Sequence, residues 1–435
     1  MFHPNRPCHY LAPAFRPSAG VAQAVIDPAT LATVGRIAPT TAEEMAAVLM
    51  AVNDAQADWR RRDAKTRAAV LHRLAARIEA TDMTACAVLM SREMGKPYPE
   101  AIGEIANCAP VFRYYAEMAR DEAGKIADLP QGLVACLPGG ADLGRALVES
   151  DLTHAVAFTG SVAAARAVAA AAGAKMKPAV IEAGGSDPMI ICDSAPLDVA
   201  AAGAVTAAFH LSGQVCTSAE RIYAVDRVHD AFVRAFVAET LRLRIGHGLS
   251  RSEIGPLVNK AARDKVMRLV ADAVAKGARV ECGGRVPEAQ TVGWFYAPTI
   301  LTGCTRDMDI LREECFGPVA AVCRVADFDA AIRAANASAF GLGASVFSTR
   351  LDEAMDAAER LEAGMVWINN PMIDNDALPF GGWKASGLGR ELGRQGLDAF
   401  RRSRMVILDH RPVRQGWWYP YPDDWFLDAG GRKPD

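Results

Sequence analysis

Short apolar runs that end in glycine and open into helices constrain this chain most. Residues 133–137 are apolar and stop at Pro138-Gly139-Gly140. Residues 155–158 stop at Thr159-Gly160-Ser161, and residues 180–182 at Ala183-Gly184-Gly185. Helical segments, 141–149 and 162–172, separate them. Strands alternating with helices predict a parallel, doubly wound α/β sheet, with these runs as successive strands. A second alternating block follows, with strands at 221–225, 319–324, 344–348 and 365–368. Its helices are expected at 229–242, 260–276, 327–336 and 351–361. Ahead of both blocks, amphipathic helices are expected at 41–56, 66–78, 84–94 and 99–120. Thr41 would cap the first, with Glu43 and Glu44 in its first turn.

A length of 435 residues implies two or three domains. Hydrophobic residues at 51% and charged residues at 23% fit a soluble globular protein. A net charge of −3 gives no basic excess, so neither nucleic acid nor an anionic membrane is an expected partner. The longest uncharged run, 199–219, holds His210, Ser212, Gly213 and Gln214. It reads as a buried helix and turn, not a membrane span. The N-terminal stretch carries Pro4, Pro7, Pro13 and Pro17 and no apolar core of signal-peptide length, so a cytoplasmic location is expected. The ten cysteines form no Cys-x-x-Cys pair and have no histidine cluster nearby, so no metal is expected. Most of them are expected to be reduced, buried and inert.

Four segments carry chemical possibilities. Gly213-Gln214-Val215-Cys216-Thr217-Ser218 displays a thiol on a turn; the alternative is a small buried hydrophobe. Glu182 closes an apolar strand before two glycines. That is the carboxyl edge where ligand crevices form in open α/β sheets; the alternative is a capping or solvated acid. Thr159-Gly160-Ser161 opens an alanine-rich helix whose free N–H groups suit a pyrophosphate; the alternative is plain N-capping by Ser161. Glu313-Glu314-Cys315-Phe316-Gly317-Pro318 sets two acids and an aromatic ring beside a rigid turn.

Taken together, these segments resemble the aldehyde dehydrogenase family from about residue 27 to about residue 408. The Cys216, Glu182 and Thr159–Ser161 segments, the Glu314-x-Phe316-Gly317-Pro318 segment and the loop from Pro379 to Gly387 all occur in family order. Glu93-Met94-Gly95-Lys96-Pro97 and Gly364-Met365-Val366-Trp367-Ile368-Asn369 agree as well. The resemblance implies a dinucleotide-binding domain at 24–185, a catalytic domain at 186–375 and a return segment at 376–402. Residues 403–435 would form an oligomerisation strand, at 403–408, and an aromatic tail. It implies NAD or NADP as cofactor and a small-molecule aldehyde as substrate, with Cys216 the nucleophile and Glu182 the general base. Thr159, Gly160 and Ser161 would lie by the pyrophosphate, Glu314 would hold the nicotinamide ribose, and Phe316 would pack near the ring. The Met94-Gly95-Lys96 variant leans toward semialdehyde and aminoaldehyde dehydrogenases.

One family block is missing near residues 126–130. It comprises a strand pair used in oligomerisation, the first nucleotide-binding strand with a Pro-Trp-Asn motif, and a second strand ending in Lys-Pro-Ser/Ala-Glu. A homo-oligomer is still expected, weakened by the lost strand pair. The first functional reading is NAD(P)-dependent aldehyde oxidation. The alternatives are an impaired relic acting at most as a cofactor-independent Cys216 esterase, and a non-enzymatic subunit partner.

Overall fold

The computed structural model describes residues 8–118, 132–421 and 425. Contacts gather the chain into two units, one running to Phe400 and one starting at Arg401. The first opens with two antiparallel hairpins, β1 (Cys8–Leu11) with β2 (Ala14–Pro17) and β3 (Gln23–Ile26) with β4 (Thr33–Ile37). Four helices follow: α1 (Ala42–Trp59), α2 (Ala64–Ala80), α3 (Thr84–Met94) and α4 (Tyr98–Met118). Local chemistry fixes where they start. Thr41 and Glu44 form a reciprocal capping box at α1, and Asp63 accepts the Thr66 N–H at α2.

Next come β5 (Ala135–Cys136), α5 (Ala141–Glu149), β6 (Val156–Gly160), α6 (Val162–Ala174) and β7 (Ala179–Ala183). The expectation for residues 133–137 is corrected here. β5 does not join β6 and β7; it pairs antiparallel with β1, in a sheet ordered β2-β1-β5. A short apolar run fixes neither its partner nor its direction, and the N-terminal hairpin supplies both. β6 and β7 are parallel, and a late strand, β15 (Gly387–Leu388), adds antiparallel to the other edge of β7. Among the described residues this sheet has three strands, β15-β7-β6.

The rest of the first unit is larger. Its elements are β8 (Pro188–Ile191), α7 (Leu197–Phe209), β9 (Arg221–Val225), α8 (Asp226–Thr240) and α9 (Lys260–Ala275). They continue with β10 (Arg279–Cys282), β11 (Thr299–Thr302), β12 (Val319–Val325), α10 (Phe328–Asn336), β13 (Gly343–Phe347), α11 (Leu351–Arg360) and β14 (Met365–Ile368), and α12 (Gly393–Asp398) follows β15. Seven strands form one sheet, β10-β11-β12-β9-β8-β13-β14, parallel except at the β10 edge. Successive side chains of a strand face opposite ways. Met189 and Ile191 therefore pack under Phe232 and Phe236 of α8, while Ile190 packs with Ala331 and Ile332 of α10. Both faces are covered, which is why β8 is apolar throughout.

Burying each such side chain contributes about 1.5–3 kcal/mol. The three-stranded sheet has far less. Its buried clusters are Val148, Val156 and Ala172 on one side and Ala165, Ile181 and Ala183 on the other. The seven-stranded layer is the scaffold, and the smaller sheet is the thin part of the fold.

In the second unit, residues 403–408 form no strand within the single chain; the partner expected for them is a neighbouring subunit. Met405, Val406, Ile407 and Leu408 are exposed. A strand needs a neighbour to pair with, and among the described residues of this unit there is none. Of the aromatic tail, Tyr421 and Trp425 stack at 5.6 Å between ring centroids.

Candidate active site

β6 and β7 end side by side, with Thr159 opposite Glu182 and Gly160 opposite Ala183. β15 places Gly387 on the other flank of Glu182. The Glu182 carboxylate thus leaves the sheet at its carboxyl edge, with strands on both sides. One cleft of about 710 Å³ opens there. It is lined by Cys216, Glu182, Thr159, Gly160, Ser161, Glu314 and Phe316, so all seven site candidates read from the sequence meet in one place. Ser161 both lines the cleft and caps α6, accepting the Ala164 N–H at 3.3 Å.

The thiol is carried by a braced loop. After α7, Leu211, Ser212 and Gly213 take φ of 48°, 57° and 72°. Left-handed backbone costs a non-glycine residue about 1–2 kcal/mol, so the loop needs external support. Gln214 supplies it: Nε2 donates to Leu211 O at 3.1 Å, and Oε1 accepts the Val258 N–H at 2.9 Å. Ser212 Oγ donates to Gly255 O at 3.0 Å. A Cβ at position 213 would lie 2.1 Å from Gly317 O, so this loop touches the turn that carries Glu314 and Phe316.

Electrostatics distinguish the groups. Burial pushes the Glu182 carboxyl up to about 7, with Glu391 and Glu314 adding to the shift. Burial, and then the facing Glu182 carboxylate, pushes the Cys216 thiol up as well. Both effects on the thiol disfavour a resting thiolate, so the proton would pass from the thiol to Glu182 only as Cys216 Sγ bonds to a substrate carbon. Glu182 Oε1 is buried without a hydrogen-bond partner, so it remains free to accept one from a substrate or water. Glu314 is held from behind, its Oε1 accepting the Gly185 N–H at 3.1 Å.

The cleft also includes residues not singled out as site residues. Lys96, ion-paired with Glu104, comes from the segment after α3. His210, Lys265, Met372 and Asp374 also line it. Two buried carboxyls lie behind it, Asp187 raised to about 8 and Glu220 to about 7, both by burial. The one sequence signal for Glu220 is a Glu-Arg pair leading into the apolar run Ile222-Tyr223-Ala224-Val225. Among the described residues no group of three or more His, Cys, Asp or Glu is placed to hold a metal ion. The cysteines are less uniformly buried than expected. Cys192, Cys315 and Cys323 are buried, whereas Cys86, Cys108 and Cys136 are exposed because their helix faces and strand lie at the surface.

The sequence profile of the aldehyde dehydrogenase family matches residues 15–128 and 122–406. A succinate-semialdehyde dehydrogenase [NADP(+)] of Mycolicibacterium paratuberculosis is 34% identical over 454 positions, covering 88% of this chain and 96% of the relative. That alignment is longer than the chain itself. A betaine aldehyde dehydrogenase of Brucella anthropi is 39% identical over 295 residues, spanning 67% of this chain but only 61% of that relative. The crystal structure of an NAD-dependent aldehyde dehydrogenase from Sinorhizobium meliloti superposes with a TM-score of 0.89 at 29% identity, covering 94% of this chain and 96% of that one. With the profile matched over most of its length and the fold shared, the chain belongs to the aldehyde dehydrogenase family.

Proposed function

We propose that this chain oxidises a small aldehyde to the carboxylic acid with NAD or NADP, through a covalent intermediate on Cys216. The observation that carries the reading is the pairing of the Cys216 thiol with a Glu182 carboxyl titrating near 7, in the same cleft as Glu314 and the start of α6. The residues present fit part of a dinucleotide. Ser161 and the α6 N-terminus suit its diphosphate, and the Glu314 carboxylate, fixed by the Gly185 N–H, suits a ribose hydroxyl. The bound nicotinamide supplies the hydride acceptor.

The chain's own residues do the rest. Glu182 takes the thiol proton as Cys216 Sγ bonds to the aldehyde carbon, giving a thiohemiacetal. The Cys216 N–H is the local donor for its oxyanion. Loss of hydride from that carbon leaves a thioester. Glu182 first releases the thiol's proton to solvent, then removes a proton from water, which attacks the thioester carbon; the C–S bond breaks, the acid leaves and Glu182 returns a proton to the Cys216 thiolate. Steady turnover that reduces NAD⁺ or NADP⁺ with an aldehyde, and that is lost in Cys216→Ala, tests the reading. A folded sample that neither binds nor reduces either dinucleotide overturns it.

A second reading rests on β6, which among the described residues pairs only with β7. The family places further nucleotide-binding strands in the block missing from this sequence, and an alignment longer than the chain supports that gap. Under this reading Cys216 and Glu182 hydrolyse activated esters without cofactor. A burst with an aryl ester, in a sample that binds no dinucleotide, selects it. Residues 24–185 and 186–375 serve as the dinucleotide-binding and catalytic parts under either reading, with residues 403–408 available to a neighbouring subunit.

A further inference from the structure

We propose that Glu220 is a positioning residue that locks the turn carrying Glu314 and Phe316 to the nucleophile's own chain segment, and so sets dinucleotide affinity; this rests on the reading of that turn as part of the cofactor site. Glu220 lies four residues after Cys216, on the segment leading into β9. Its side chain is buried, and both oxygens point at one place. Oε2 accepts the Cys315 N–H at 2.8 Å and Oε1 the Phe316 N–H at 2.7 Å. Two successive amides converging on one anion form a nest, an arrangement that suits a negative charge. Phe316 has φ of 53°, a left-handed conformation unfavourable for a side chain of that size. The carboxylate therefore holds a turn that would not keep this shape alone.

Glu220 is itself anchored, because its carbonyl accepts the Ala321 N–H at 2.9 Å in the β9–β12 pairing. The neighbouring Arg221 is occupied elsewhere, donating to Ser186 O at 2.7 Å and 2.9 Å and to the Tyr223 hydroxyl at 3.1 Å. The Glu314 side chain precedes the clamped amides and reaches the Gly185 N–H beyond β7. Three segments far apart in sequence, around 182–185, 216–220 and 314–317, are thereby tied into one body. The backbone link runs through Glu220 and the side-chain link through Glu314.

The variant Glu220→Gln tests this. A carboxamide offers an acceptor to one amide and turns N–H groups toward the other, so the turn opens while the side-chain volume stays the same. NAD⁺ and NADP⁺ binding by calorimetry, and the cofactor-free burst of Cys216 with an aryl ester, are measured in parallel on the full chain. Losing one charge-assisted bond should weaken dinucleotide binding by about tenfold or more, against a fall of under about threefold in the burst rate. Equal affinity in the variant and the unsubstituted chain, or an equal fall in both readouts, overturns the inference. Absence of binding by the unsubstituted chain overturns it together with the cofactor reading. Should E220Q fail to fold, hydrogen exchange on the unsubstituted chain decides. The Cys315 and Phe316 amides should be strongly protected, and more so with dinucleotide present. Rapid exchange at both, or no response to dinucleotide, refutes the clamp.

Discussion

Two adjacent glycines divide the site, and adding one methyl at a time should separate its two halves. A Cβ at position 184 would sit 2.3 Å from Glu314 Oε1 and 2.4 Å from Oε2. Those are the far atoms of a flexible side chain, so in Gly184→Ala the carboxylate swings away and the backbone stays. Glu314 then loses the Gly185 N–H that fixes it. A hydrogen bond to a charged group is worth about 1.5–3 kcal/mol, so dinucleotide affinity should fall roughly ten- to a hundredfold. At position 185 the methyl would instead meet Cys216 O at 2.3 Å. That obstacle is backbone, and Gly185→Ala must displace the nucleophile's segment. The assay is calorimetric titration with NAD⁺ and NADP⁺ beside Cys216 alkylation by iodoacetamide. G184A should lose binding and keep alkylation within about threefold, the modest change expected when a distant contact is lost. G185A should lose alkylation. Unchanged affinity in G184A, or identical behaviour of the two variants, refutes the assignment of Glu314 to the cofactor.

Three further outcomes are expected. Because Glu182 is raised to about 7 and acts deprotonated, acyl-enzyme hydrolysis should fall as pH drops through about 7 and level off above it; E182Q should abolish that limb in a pH–rate profile. Asp187 is raised from 3.8 to about 8 by burial, so between those values the folded form holds a proton that the unfolded form has lost. Stability contributed by that proton is present at low pH and is lost as pH rises through the window. Asp187→Asn keeps an acceptor for the Gly343 N–H, 3.0 Å away, and should gain on the unsubstituted chain in urea midpoint from pH 5 to pH 9. Gln214→Ala removes the bonds to Leu211 and Val258, and should cost about 2 kcal/mol in urea unfolding and slow Cys216 alkylation.

Much of this was legible because local rules sufficed. The strand 365–368 and helices 84–94 and 141–149 lie where the apolar pattern places them. Thr159, Glu182 and Cys216 were found because each closes or follows an apolar run with glycine beside it. What failed depended on partners distant in sequence. Ala135 and Cys136 pair with Leu11 and Tyr10, more than a hundred positions earlier, and nothing local says so. The role of Glu220 is written in two amides near position 315, and Lys96 reaches the cleft from the helical N-terminal region. Those facts exist only once the chain is folded.

The flank of β6 that pairs with no strand among the described residues bears on handling as well as on chemistry. Its five residues, Val156–Gly160, present backbone donors and acceptors that no described strand satisfies. Ala157 and Thr159 are exposed beside it, and no charged side chain guards the row. Edge strands of this kind are templates for other extended chains. Association in concentrated stocks is therefore expected to begin at this short stretch, ahead of any unfolding of the seven-stranded half. Turbidity should rise with protein concentration long before that half unfolds. A lysine introduced at Ala157 is the economical remedy, since it places a charge on the flank and leaves the cleft untouched.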